Sequence, residues 1–359
     1  MKARAMGKRK LTTLFLILAV VMVLQACGKS QQPAADMDPE PAAAEEENET
    51  AEEPAEEEPP EEPPKPFTYP FTGLGSDTEV KDRPIVVMVE NSPAARPQDG
   101  LHKADIVYEV LAEGEITRFV TVFQSQEADI IGPVRSLRPY FAEIGDGLDG
   151  YIVHAGWSAE AGAMIAKRKL ANFDEIYGDG AYYWRDKSRK APHNLYTSTA
   201  LIREGAVKKK YRQEWNAKSL KFYEPGAEPA IAGEPAASLK VHYIRGYNVS
   251  YEYDAESGLY KRLMADKPHT DKTSGTQITA RNVMVIFAKH RIVDDAGRRE
   301  VDVFGPGEGH LFQQGRKLDI EWKNEGGVIR PFAGGQEVPL LPGQTWVQIV
   351  PIGSKVEYQ

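Results

Sequence analysis

The chain contains a single cysteine, Cys27. No disulfide and no all-cysteine metal site can form within one copy, so whatever folds must be held by an ordinary hydrophobic core. The position of Cys27 is equally restrictive. Five basic side chains (Lys2, Arg4, Lys8, Arg9, Lys10) precede a mostly apolar run from Leu11 to Leu24. That run is short for a bilayer span and has the form of a signal-peptide core. Leu24-Gln25-Ala26-Cys27 resembles the lipobox cut by lipoprotein signal peptidase, with Gln25 in place of the usual small or aliphatic residue. Residues 1–26 are therefore expected to be a lipoprotein signal peptide, and Cys27 a lipidated N-terminus. The alternative is an ordinary secretory signal or uncleaved anchor with an incidental cysteine.

Charge separates a second region. The whole chain carries −9, residues 1–26 carry +5 and residues 28–66 carry −12, which leaves −2 for residues 67–359. A nearly neutral folded part has no global field to recruit nucleic acid, and none is expected as a partner. Residues 27–66 read as a lipidated cysteine and a disordered Glu/Pro tether, because they lack the apolar side chains that would offset the entropy of ordering. Prolines and like charges extend such a segment toward ~3.1 Å per residue. Export argues against ATP or nicotinamide cofactors, so none is expected, and no metal motif is present.

The remainder is expected to be α+β. An N-terminal mixed α/β domain should span residues 67–224, and a smaller mostly-β domain, a sandwich or barrel, residues 238–359. A Pro/Gly/Glu-rich linker at 225–237 should join them. Pro84–Val89 and Tyr151–His154 are short apolar runs typical of buried strands. Asp105–Leu111 and Ile116–Phe123 read as a hairpin about Glu113-Gly114. A helical pattern begins at Ser136 and ends at Gly145; others follow Ser158 and Ser198 or Thr199 as caps. Beyond residue 238 alternation dominates, as in Tyr247, Val249, Tyr251 and Tyr253.

Several strings carry a family resemblance: Val89-Glu90-Asn91, Ala95-Arg96-Pro97, Ala104 to Glu109, Gly114 to Phe119, Ile131 to Ser136, Pro268 to Asp271 and Gly343 to Trp346. Together they resemble the YerB family of bacterial lipoproteins over roughly residues 67–352, with Glu115 where a second glycine is expected. The resemblance implies a lipid-anchored envelope protein with a two-part domain of unassigned function. It brings no catalytic residues with it.

Four groups of residues are candidates for chemistry. A two-residue loop would set Glu109 opposite Arg118, either as a buried pair or as one wall of a polar pocket. Ser136 as a helix cap, with Arg135 and Arg138 at its mouth, would suit an anion. His154 ends a buried strand, where α/β sheets expose ligand sites; with His193 and Asp105 or Glu109 it would form an acid–base set. The long loop Asp174–Tyr196 carries Tyr183 and Trp184 among arginines and lysines, a combination suited to a glycan or anionic polymer. Each group has a plain structural alternative.

The expected function is that of a non-catalytic, lipid-anchored binding or scaffolding protein. It would sit on the outer face of the cytoplasmic membrane, in a Gram-positive-type envelope, and engage a cell-wall polymer or wall-synthesis protein. The competing expectation is a wall-modifying hydrolase or transferase using His154, His193 and Asp105 or Glu109.

Overall fold

The computed structural model describes residues 65–359 apart from Arg245, so Cys27, the expected signal peptide and nearly all of the expected tether lie outside the described residues. One large mixed sheet organises the fold. Its strands are β1 (Ile85–Glu90), β2 (Ile106–Leu111), β3 (Thr117–Phe123), β4 (Tyr151–His154) and β5 (Asn172–Asp174) from the first half. The second half adds β9 (Asn282–Ala288), β10 (Gly307–Gln313), β11 (Arg316–Glu325), β12 (Val328–Ala333), β13 (Gln336–Glu337) and β14 (Thr345–Pro351). Their spatial order is β13-β12-β11-β10-β9-β14-β2-β3-β1-β4-β5.

The join is β14, which runs parallel to β9 on one side and parallel to β2 on the other. Sheet hydrogen bonding therefore crosses the expected division at 225–237. The expected linker also contributes to the sheet, since Glu234 and Pro235 pair with Lys317 and Arg316.

A second sheet carries β6 (Ser238–Ile244), β7 (Tyr247–Asp254), β8 (Leu259–Met264) and β15 (Val356–Tyr358). It packs on one face of the large sheet. Val241, Tyr251 and Tyr260 share a core there with Val107, Phe119, Val285 and Trp346. Helix α3 (Thr199–Lys208) joins the same core through Ile202 and Ala206. The opposite face, with Val86, Ile106, Val120, Ile286 and Val347, is covered by Phe141 and Ile144 of α1 (Pro139–Gly147) and by Ala161 and Ile165 of α2 (Ala159–Arg168). Burial on both faces explains why the central strands read as unbroken apolar runs.

Two local expectations are corrected. The β2–β3 turn is not a two-residue loop: Leu111 pairs with Thr117, so Glu109 lies opposite Phe119 and Arg118 opposite Val110. A slip of one residue sends the two side chains to opposite faces of the sheet. Ser136 does not begin or cap a helix. The first helix starts at Pro139 after Arg138, whose side chain makes no capping bond, because Pro139 supplies the φ suited to a first helical turn. Ser158 and Ser198 do cap α2 and α3, accepting from Ala161 N at 3.3 Å and Leu201 N at 3.2 Å.

Candidate functional site

The carboxylate of Glu109 is fully buried between the two sheets. Its Oε2 accepts from Arg262 Nη2 at 2.7 Å, and its Oε1 from Thr117 Oγ1 at 2.8 Å and Asn91 Nδ2 at 3.2 Å, with Tyr247 OH beside them. Burial opposes the charge on Arg262, but Glu109 together with Tyr251 and Tyr247 outweighs it and holds the guanidinium protonated. Arg262 also lies 4.4 Å from the centre of the Trp346 ring and bonds His269 Nδ1, whose Nε2 reaches Gln98 Oε1 at 2.9 Å. Burial, with Arg262 next, pushes the His269 pKa well below the ordinary value. Every arm of this network ends inside the protein, and its place between the sheets makes it a structural clasp.

The other expected residues separate. Arg118 donates to Ser136 O at 2.7 Å and to Glu113 Oε2 at 2.9 Å. Arg138 pairs with the same Glu113, so it is not a free arm at a helix mouth. Asp105 is enclosed, accepting from Gln124 N at 2.7 Å and Ser125 N at 3.0 Å, and burial raises its pKa to about 6. His154 is fully buried; its Nδ1 faces Gly156 O at 3.1 Å and Asp174 Oδ2 at 3.7 Å, and burial lowers its pKa. Tyr183 is buried, with its hydroxyl on Phe173 O at 2.8 Å. Only Trp184 of that loop pair faces solvent, stacked on Tyr196 with ring centres 6.2 Å apart. Tyr177 is also exposed and stacks on Trp157 at 5.1 Å.

Two expected residues, Arg135 and His193, do meet, through a carboxylate that sequence reasoning passed over. Glu90 ends β1 at the carboxyl edge of the parallel strands β1, β4 and β5. Its Oε2 lies 2.9 Å from His193 Nδ1, and its Oε1 accepts from Ser92 Oγ at 2.8 Å and faces Arg135 Nε at 3.5 Å. Glu90 is buried, whereas the side chains of His193 and Arg135 are 27% and 29% exposed. Among the described residues, His193 Nε2 and both terminal nitrogens of Arg135 make no hydrogen bond. Backbone bonds fix Arg135 between two strand ends: its N–H donates to Met88 O at 2.8 Å and its carbonyl accepts from Ala155 N at 3.1 Å. Glycine is required nearby, because a Cβ on Gly132 (φ 153°) would stand 2.7 Å from Leu195 O.

The result is a rim at the strand ends, the usual ligand edge of an α/β sheet. One buried carboxylate braces a guanidinium whose terminal N–H donors remain available and an imidazole whose Nε2 is unengaged. Such a guanidinium can hold an anionic group. Ser92 donates to Glu90, and its only approach to His193 is at Nδ1, 3.4 Å away. A nucleophile–base–acid relay would need the hydroxyl and the carboxylate on different ring nitrogens.

Comparison with known proteins matches this architecture to one class. Residues 71–212 match the N-terminal domain, and residues 239–347 the C-terminal domain, of a family described as a protein of unknown function, DUF3048. The Bacillus subtilis (strain 168) protein YerB, whose name calls it a lipoprotein, is 39% identical over 288 residues, 79% of this chain and 86% of that protein. The crystal structure of YerB from Bacillus subtilis superposes with a TM-score of 0.74 at 36% identity, covering 81% of this chain and 99% of that one. The chain belongs to the YerB family.

Proposed function

We propose that this protein is a lipid-anchored, extracytoplasmic binding or scaffolding protein of the cell envelope that engages an anionic cell-wall polymer through the Glu90 rim. Cys27 would hold it to the outer face of the cytoplasmic membrane, and the acidic tether would carry the folded part outward. The observation that carries the ligand assignment is the bracing of Arg135 and His193 by one buried carboxylate, with their outer nitrogens unengaged. Exposed Trp184 and Tyr177 offer ring faces on the neighbouring loop.

The enzymatic alternative draws on one feature, the contact of Glu90 with His193 at 2.9 Å, since a carboxylate that orients an imidazole suits a general base. Against it, Asp105, Glu109 and His154 are enclosed by internal partners. The test is retention of the full chain on purified cell wall across a salt series, with wall fragments followed by mass spectrometry. Binding that weakens with salt and is lost in Arg135→Ala supports the assignment. Release of new wall fragments that stops in His193→Gln would replace it with the enzyme. Neither retention nor new fragments would leave a protein partner as the ligand.

A further inference from the structure

A cavity of about 260 Å³ that uses none of the rim's residues draws its walls from three parts of the chain. Asp99, Gly100, His102 and Lys103 come from the segment ahead of β2, and Ala128, Asp129 and Ile130 from the segment after β3. Asp271, Thr273 and Ser274 come from the loop beyond β8.

Two carboxylates in this wall are treated differently. Asp271 is fully met: Oδ2 accepts from Gly100 N at 2.6 Å and faces His102 Nδ1 at 2.9 Å, while Oδ1 accepts from Thr273 N at 3.1 Å and Ser274 N at 3.0 Å. Asp99 is only 2% exposed, and Thr273 Oγ1 donates to its Oδ1 at 2.6 Å. Among the described residues, Asp99 enters no ion pair and its Oδ2 accepts no hydrogen bond, yet that oxygen is not sealed in the interior and opens on the cavity. The nearby ammonium groups are committed elsewhere, Lys103 to Glu127 O at 2.8 Å and Lys272 to Asp186 Oδ2 at 2.7 Å. Burial pushes the Asp99 carboxyl above its ordinary range; the Thr273 hydroxyl offsets part of this, and the charge of Asp271 adds to it.

A buried carboxylate with an open oxygen and no cation in contact calls for a cationic occupant. Three features narrow its chemistry. Thr273 holds one oxygen, so Asp99 lacks the two-pronged edge that suits a guanidinium, whereas a single N–H of an ammonium fits the oxygen that remains. His102, in its neutral form, keeps its proton on Nδ1 against Asp271 and offers Nε2 as a further acceptor on the same cavity. Ala128 and Ile130 supply apolar wall for an aliphatic stem. Among the described residues, no group of three His, Cys, Asp or Glu side chains is placed to hold a metal ion, which favours an organic cation.

We propose that this cavity binds a primary ammonium on a short aliphatic stem, with Asp99 as its counter-ion and His102 as a second acceptor. The site takes a charge opposite to that expected at the rim and does not depend on it. The experiment is titration calorimetry of the full chain with Nα-acetyl-lysine methylamide and with its Nε-acetylated, uncharged counterpart. The charged probe should bind, and acetylation should weaken binding at least about tenfold. Asp99→Asn, which keeps an acceptor for Thr273, should cause a similar loss while melting no lower than the parent, since it removes an uncompensated buried charge. The comparison of the two probes on the unaltered chain decides the matter even if that variant folds poorly. Arg135→Ala should leave amine binding intact, so failure of the rim and failure of the cavity read out separately. No heat with the charged probe, equal binding of both probes, or undiminished affinity in folded Asp99→Asn would overturn the proposal.

Discussion

Glu109 and Arg262, one from each family-matched segment, form an ion pair at 2.7 Å with neither side chain exposed. They fix how the second sheet lies on the first, because every other partner of either side chain is also internal. Arg262→Met should cost about 3–5 kcal/mol by stranding a buried carboxylate. The double variant Glu109→Gln with Arg262→Met should recover part of that loss. Denaturant melts of the two variants test this, and equal costs would mean that the carboxylate is not what penalises the single change.

The end of α1 and the β11–β12 turn close on bare backbone. A Cβ on Gly147 would clash with Gly327 O, and one on Gly327 (φ 92°) would lie 2.5 Å from Gly147 Cα. Gly327→Ala should therefore destabilise by about 2–4 kcal/mol, combining clash and strain. Gly334→Ala, at φ 56° with open space around it, should cost only about 1 kcal/mol. Thermal melts of the pair separate crowding from backbone preference.

Two buried groups should shift acid stability in opposite directions. Asp105 is raised to about 6, so the folded state holds a proton that the unfolded chain releases near pH 4, and this contribution declines as pH rises from about 4 to 6. His290 is lowered to about 4, so the unfolded chain takes up a proton first, and stability is lost as pH falls from about 6.5 to 4. Relative to the parent, Asp105→Asn should gain stability as pH rises through that window, and His290→Gln should lose it. Each change should reach up to about 3 kcal/mol. Urea melts at several pH values measure both slopes, and slopes of the same sign would contradict the assignment.

Cys27→Ser should abolish labelling by a radioactive or clickable lipid precursor and release the protein from the membrane fraction. Retention of both label and membrane association would mean that another residue anchors the chain.

The parts of the fold written in short-range pattern were legible in the sequence. Apolar runs such as Ile85–Val89 and Tyr151–Val153 marked the buried strands, and Ser158 and Ser198 marked two helix starts. The hairpin register was missed because Ala112–Ile116 forms a longer turn than Glu113-Gly114 alone implies, and Ala112 N bonds Ile116 O across it at 2.8 Å. That single residue of slip replaced the Glu109–Arg262 pair with an imagined Glu109–Arg118 pair. Arg135 and His193 were recognised as polar residues of interest, but their common partner was not. The available signal was Glu90, a carboxylate closing an otherwise apolar strand that required partners at its end. Pairing of β14 with β2 was beyond reach, since parallel strands so far apart in sequence leave no local pattern.

The placement of β14 between β2 and β9 has a consequence for timing. A chain that emerges N-terminus first makes β1 to β5 early, but one side of β2 stays open until Thr345–Pro351 has appeared. Closure of so long a loop is intrinsically slow, and an unpaired strand edge invites other chains while it lasts. Removing Thr345–Pro351 would leave β2 and β9 each with an unpaired edge and sever the sheet at its middle. The vulnerable moment for this protein is thus the interval between first collapse and the arrival of its last central strand.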